Sequence, residues 1–236
     1  MTSWISRFLT YYRRNGARAT LVRLFESMWR VVFGTRIVLF YCDLSKMRMQ
    51  SEALPGCLDL EVRNSEAQLS PHDRATILNA VDPRRAQRLM AERFQKGASL
   101  WVIKNGAEMV GYGWTVTGRT LEPRFFPLTP YDVYLFDFLI FPQYRGKGMN
   151  PLLVRHVLCN LAAQCQGRAF LEVAEWNRPQ FSSLRRTPFR RMGSAKKVTL
   201  GRRTIVYWTE ETTASLEQPR SSERHSYAHS DQRTPL

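Results

Sequence analysis

The chain has 236 residues, 44 % hydrophobic and 12 % aromatic, and its 35 lysines and arginines exceed 20 aspartates and glutamates to leave a formal charge of +15. This composition excludes a collagen-like, low-complexity or wholly disordered chain and leaves room for one well-buried core with extensions. The excess of cations favours a polyanionic partner, whether nucleic acid, acidic lipid, anionic polysaccharide or a phosphorylated cofactor, over a merely solvated basic surface.

Residues 1–48 read as an extension with its own character. Trp4, Ile5, Phe8, Leu9 and Tyr12, and then Leu21, Leu24, Phe25, Met28, Trp29 and Val32, recur at helical spacing on either side of "RNG" at 14–16. Arginines beside tryptophan and phenylalanine suit a helix lying on an anionic membrane through residues 1–33. The competing reading packs the stripe on the main domain or on a second copy of the chain, as in a homodimer. Arg7, Arg13, Arg14 and Arg18 interrupt any export signal, and no apolar run approaches the roughly 18 residues that cross a bilayer. The expectation is a cytoplasmic protein, peripheral to the inner face of the membrane. Cys42, Cys57, Cys159 and Cys165 show neither zinc-site spacing nor the density of a disulfide scaffold, so no metal is expected and the thiols read as reduced. "IVLFYCDL" at 37–44 reads as a short buried strand closing the extension.

From 49 to 209 the pattern is mixed α and β. A strand near 57–63 precedes helices near 71–80 and 83–96, the second opened by "DPRR" with Pro83 in its first turn. Strands at 98–104 and 108–117 flank "NGAE", a hairpin signal, and "PRFFPLTP" at 123–130 is a proline-rich loop. The long strand "YDVYLFDFLIF" follows, then a glycine-rich joint, a helix to about 165, a strand at 168–174, a helix from 178, and strands at 194–200 and 203–208. Residues 210–236 are nearly devoid of apolar side chains and read as a disordered tail.

The joint, "FPQYRGKGMNPLL" at 141–153, is the centre of the functional reading. A strand, a glycine turn and a helix bring backbone N–H groups and a helix N-terminus to bear on one anion. Gly146 and Gly148 keep side chains away from a phosphate, and Arg145 and Lys147 add charge. Pro151 is tolerated in the first helical turn. A Gly-x-Gly alone is more often an ordinary turn, and neither the dinucleotide fingerprint nor the Walker loop fits.

Gln143 to Gly148 do match Gln/Arg-x-x-Gly-x-Gly/Ala, and this stretch resembles the acetyl-CoA loop of the GNAT (GCN5-related) N-acetyltransferase superfamily. "YLFDFLIFPQYRGKGM" before a helix, then "LEVAEWNRP" and "FRRMG", extend the resemblance, nearest in motif to polyamine-type enzymes, over residues 57–208. It implies an α/β (α+β) fold with a central mixed, mostly antiparallel sheet splayed in a V and flanked by helices. It further implies strands parting after Phe141 and Glu175 beside a bulge, with pantetheine lying along the backbone of Leu139, Ile140 and Phe141 and reached by Asn177. The N–H groups of Arg145 to Met149, with Gln143 at the edge, would receive the pyrophosphate.

The resemblance fails where it expects side-chain chemistry. Phe136 stands at the glutamate base, and Phe189 at the tyrosine that protonates the leaving sulfur. Asp137 and Tyr134 become the catalytic candidates, against structural roles for both. Period-two alternation puts Asp137 on the face of Val133, Leu135 and Leu139, opposite Phe136, where it reads as a buried carboxylate, and puts Tyr134 beside Phe136. Glu172, Glu175 and His156 are further alternatives, with surface or turn roles the plainer reading; Phe136, Glu175 and Phe189 are expected near the acceptor. Nine cations and no acid between 178 and 203 form either a solvated edge or a track for phosphates.

Three functions compete. One is an N-acetyltransferase using acetyl-CoA or another acyl-CoA, with a small-molecule amine acceptor such as an amino sugar. The others are an acyl-CoA-binding module without transfer chemistry, and a charge-driven binder of anionic membrane or nucleic acid, of which nucleic acid is the less expected.

Overall fold

A computed structural model describes residues 16, 17, 20, 35–47, 54–80, 83–118, 128–164, 167–200 and 203–210. The amphipathic stripes of residues 1–33, the proline-rich loop but for Leu128, Thr129 and Pro130, and the tail beyond residue 210 lie outside them.

Eight strands form one sheet in the order β2-β3-β4-β5-β6-β1-β7-β8. They are β1 (Thr35–Asp43), β2 (Leu58–Arg63), β3 (Ser99–Asn105), β4 (Glu108–Thr117), β5 (Val133–Ile140), β6 (Arg168–Ala174), β7 (Arg190–Leu200) and β8 (Arg203–Glu210). Every neighbouring pair is antiparallel except β5 and β6. Four α-helices are described: α1 (Pro71–Asn79), α2 (Pro83–Gln95), α3 (Met149–Gln164) and α4 (Arg178–Leu184).

Local chemistry accounts for the helices. The Ser70 hydroxyl accepts from the Asp73 N–H at 3.0 Å, capping α1, and Pro83 opens α2 with Ala86 and Met90 turned inward. Helix α3 buries Leu152, Leu153, Val157, Leu158 and Leu161 against one sheet face, over Val133, Leu135 and Trp101. The opposite face carries a second core in which Leu100, Val102, Tyr112 and Trp114 meet Ile77 and Met90 of α1 and α2.

The strand expected to close the extension is an interior strand. Val38 pairs with Val173 on β6 and with Ser194 on β7, so Thr35–Asp43 is bonded along both edges and no domain boundary near residue 48 separates it from the sheet. Its buried residues Val38, Leu39, Phe40 and Cys42 fit a strand covered on both faces.

Two irregularities shape the centre. The β5 strand pairs with β4 at Leu139↔Tyr112 and at Phe136↔Trp114, so β5 carries one extra residue, and Asp137 sits at φ +48°. This bulge reverses the alternation beyond it. Phe138 and Ile140 join Val133 and Leu135 on the α3 face, whereas Leu139 joins Tyr134 and Phe136 on the other.

The pairing of β5 with β6 stops after Val133↔Ala169 and Tyr134↔Phe170. The strands therefore part well before Phe141 and Glu175, where the resemblance implied. Their closed end is pinned by Asp132, 1 % exposed, which accepts from the Thr129 N–H at 2.9 Å, the Arg168 N–H at 3.1 Å, and Arg168 Nε and Nη2 at 3.2 and 3.1 Å. Gly167 lies so close to the Tyr131 carbonyl that a β-carbon there would overlap it.

Candidate functional site

Where β5 and β6 part, a cavity of about 560 Å³ opens between β5, the 142–149 loop and the first turns of α3 and α4. Residues Phe138 to Ile140 form one wall, and Arg145, Gly146, Gly148, Met149 and Asn177 the rim. Among the described residues its lining includes Arg145 and Arg186 and no aspartate or glutamate, which suits an anionic occupant.

The loop begins as a 3-10 turn, Pro142–Tyr144, whose C-cap N–H, that of Arg145, donates to the Pro142 carbonyl at 3.3 Å. That amide is thus used internally, and the cradle is narrower than the run Arg145 to Met149 expected from sequence. Gly146 and Gly148 both sit at φ +77°, a region open to glycine. The N–H groups of Gly146, Lys147 and Gly148 find no acceptor among the described residues, and helix α3 starts directly behind them. Side chains hold the loop from outside. Gln143 Nε2 donates to Glu108 Oε1 at 3.3 Å, and the Tyr144 hydroxyl also bonds Glu108. These bonds, that from Tyr144 first, hold the Glu108 carboxyl below its ordinary range, and Glu108 in turn raises the Tyr144 hydroxyl above its own. Gln143 and Lys147, the latter with its ammonium 5.7 Å from the Tyr144 ring centre, do not line the cavity, nor does Phe141.

Two cations reach it differently. Arg145 Nε donates to the Ile140 carbonyl at 2.9 Å, closing the loop onto the free edge of β5. Arg186, just beyond α4, lies across Gly148, its guanidinium 3.2 Å from where a β-carbon would stand. Sequence reading marked only the basic run around Arg186; nothing local singles it out. On the opposite wall Asn150 Nδ2 donates to Ser183 Oγ at 2.8 Å, while Asn150 Oδ1 is buried without a donor partner. Asn177 caps α4, accepting from the Gln180 N–H at 3.4 Å, and lines the cavity.

Coenzyme A fits this site on four observations: the unpaired loop amides, the two arginines, the orphaned Asn150 oxygen and a wall of strand backbone freed by the parting of β5 and β6.

The other face of the fork is aromatic. Tyr134 stacks on Phe136 with ring centres 5.4 Å apart, and Phe136 on Trp114 at 6.4 Å. The Arg93 guanidinium from α2 lies 5.2 Å from the centres of both Trp114 and Phe136 and pairs with Asp137. Asp137 is therefore on the Phe136 side, its side chain 61 % exposed and ion-paired, where alternation alone put a buried carboxylate on the opposite face. The bulge is the cause. The Tyr134 hydroxyl donates to Glu172 Oε1 at 3.1 Å across the fork. Glu175 pairs with Arg36 at 3.5 Å near the open end. Phe189 falls outside the last helix, because α4 ends at Leu184 ahead of Pro188; it is 8 % exposed in the core and does not line the cavity.

Among the described residues no His, Cys, Asp and Glu cluster is arranged to hold a metal, and no helix is long and apolar enough to cross a membrane. Among the described residues Cys42, Cys57 and Cys159 form no disulfide, and Cys165 lies outside them.

No curated protein matches the chain. Among solved structures, a GNAT-family acetyltransferase from Colwellia psychrerythraea is similar over 76 % of this chain and 57 % of that one, at 11 % identity and a TM-score of 0.50. A GCN5-related N-acetyltransferase from Sphaerobacter thermophilus is similar over 81 % of this chain and 56 % of its own, at 15 % identity and a TM-score of 0.49. The chain thus spans less than three fifths of either structure, and the first likeness speaks for the fold alone. Residues 65–182, half of the chain and including the fork, the glycine loop and Asn177, match the acetyltransferase (GNAT) family, and the chain belongs to that family.

Proposed function

We propose that the protein transfers an acetyl or other short acyl group from its coenzyme A thioester to a small-molecule amine. The observation that carries this reading is the pair of main-chain N–H groups at Gly146 and Gly148 that find no acceptor among the described residues, standing at the head of α3 beside a cavity whose described lining holds no acidic side chain. Bound acyl-CoA would supply an activated acyl carbon. The loop amides and Arg186 would hold its diphosphate, and the Phe138–Ile140 edge and Asn150 its amide-bearing arm.

The acceptor would enter from the aromatic face, over Tyr134 and Phe136. Arg93 lies against Phe136 there and makes the floor a poor seat for a polycation, so an amino sugar or an aromatic amine suits it better. A second reading, a coenzyme-A-binding module without transfer, is favoured by Phe136 and by the burial of Phe189, which leave the expected acid and base positions apolar.

One experiment separates them. Calorimetry with coenzyme A, followed by thiol release from acetyl-CoA with glucosamine, tryptamine and spermidine, is expected to show binding and then transfer to one of the first two. Binding without transfer selects the module. Binding unchanged in Gly146→Glu removes the loop from either reading.

A further inference from the structure

We infer that Glu172 on β6, positioned by the Tyr134 hydroxyl, takes the proton of the acceptor amine. This rests on the proposed transfer reaction and names a group in it that neither the family match nor the loop motif assigns.

The register makes the case. Strands β5 and β6 pair at Val133↔Ala169 and Tyr134↔Phe170 and then separate. Counted two residues on from Tyr134↔Phe170, β5 reaches Phe136 and β6 reaches Glu172, on the two sides of the opening. Phe136 occupies the β5 position at which a carboxylate was expected. The carboxylate is present on the facing strand instead.

Its orientation is fixed by Tyr134, 8 % exposed and stacked on Phe136, whose hydroxyl donates to Glu172 Oε1 at 3.1 Å. That contact places the carboxylate on the aromatic side of the sheet, the side away from α3. Glu172 is itself exposed, so a proton it gains can pass on to water.

The balance is simple. An ammonium acceptor first gives one proton to the Glu172 carboxylate, which releases it to solvent. The freed nitrogen lone pair then forms the bond to the acyl carbon, the carbon–sulfur bond breaks, and the second nitrogen proton goes to the departing sulfur. One amide, one thiol and one proton in water result. Positioned general bases contribute on the order of 100- to 10,000-fold.

The test compares wild type with Glu172→Gln, Glu172→Asp and Tyr134→Phe, using acetyl-CoA with glucosamine or tryptamine and reading thiol release at neutral pH alongside calorimetric binding of coenzyme A. Glu172→Gln is expected to lower kcat by about 100-fold or more, with coenzyme A affinity held within about twofold. Glu172→Asp should regain part of the loss. Tyr134→Phe should lower kcat by about tenfold while KM for acetyl-CoA stays unchanged, a split that a packing defect would not produce. Transfer by Glu172→Gln at the wild-type rate overturns this inference and leaves the proposed reaction standing. Failure of the wild type to acylate either amine overturns both.

Discussion

The two sides of the fork are built from different materials. On the donor side the ligand-facing groups are mostly main chain: loop amides, a strand edge and a helix N-terminus, with Arg186 laid across a glycine. On the acceptor side they are side chains from four elements: Arg93 from α2, Trp114 from β4, Tyr134, Phe136 and Asp137 from β5, and Glu172 from β6. A main-chain site tolerates few residue types at its turns and so keeps a short motif. A side-chain site can exchange its groups between neighbouring strands as long as the same atoms meet in space, and the role proposed for Glu172 is an exchange of that kind.

The contrast is broken most directly on the donor side. Gly146→Glu forces a side chain into φ +77° and brings a carboxylate to a phosphate cradle. Left-handed strain and like-charge repulsion should weaken coenzyme A binding by about 1,000-fold, read by calorimetry.

The closed end of the fork serves both sides. Asp132→Ala strands the Arg168 guanidinium and two main-chain N–H groups and should cost about 3 kcal/mol in a denaturant titration. Burial raises the Asp132 pKa, but hydrogen bonds and charge from Arg168, with the Thr129 N–H, outweigh it and leave the carboxyl below its usual range. A carboxyl depressed in the folded state adds stability that is complete above its unfolded pKa, about 3.9, and is lost as pH falls through the folded value. The wild type should therefore lose stability below about pH 4 more steeply than Asp132→Asn, as followed by thermal midpoint.

Arg186→Ala should weaken coenzyme A by about tenfold through loss of one charge-assisted contact and leave pantetheine, which has no phosphate, within about twofold. Equal losses for the two ligands would move Arg186 off the phosphates.

The smallest effect sharpens the acceptor side. Asp137→Asn removes the charge of a carboxylate that is 61 % exposed and leaves Arg93, 14 % exposed, on the faces of Trp114 and Phe136, so thiol release should fall by less than about threefold, with stability changed by about 1 kcal/mol. A loss comparable to that of Glu172→Gln would exchange the roles of the two carboxylates.

These differences also mark what could be read from the residues. Helix and strand limits follow the apolar periods closely: α1 and α2 begin at the prolines that announce them, and Asn177 caps its helix where an asparagine before Arg-Pro suggests. The loop was legible because glycine is the residue that its geometry requires. The resemblance implied a bulge, but its place at Asp137 was not legible, since no glycine or proline marks it. One unmarked extra residue turns every later side chain of β5 over, which misplaced Leu139 and Asp137 together. Arg186 and Glu172 were invisible as partners because each meets its neighbours through tertiary pairing, Arg186 over Gly148 and Glu172 beneath Tyr134. Phe189 was misassigned for a third reason: the helix ends at Leu184, five residues short of it.

The position of β1 has a consequence for biosynthesis. Arg36 donates to the Ser194 hydroxyl 158 positions away, and the strand between β6 and β7 is made well before either of them. During synthesis that apolar ribbon must wait, without its sheet partners, until β6 and β7 have followed it out of the ribosome. Loop closure over such a span is slow, and a waiting strand edge invites wrong partners. Recombinant yield should accordingly respond to chaperone supply and growth temperature, and trimming the chain past residue 34 would remove a central stave of the sheet instead of a dispensable leader.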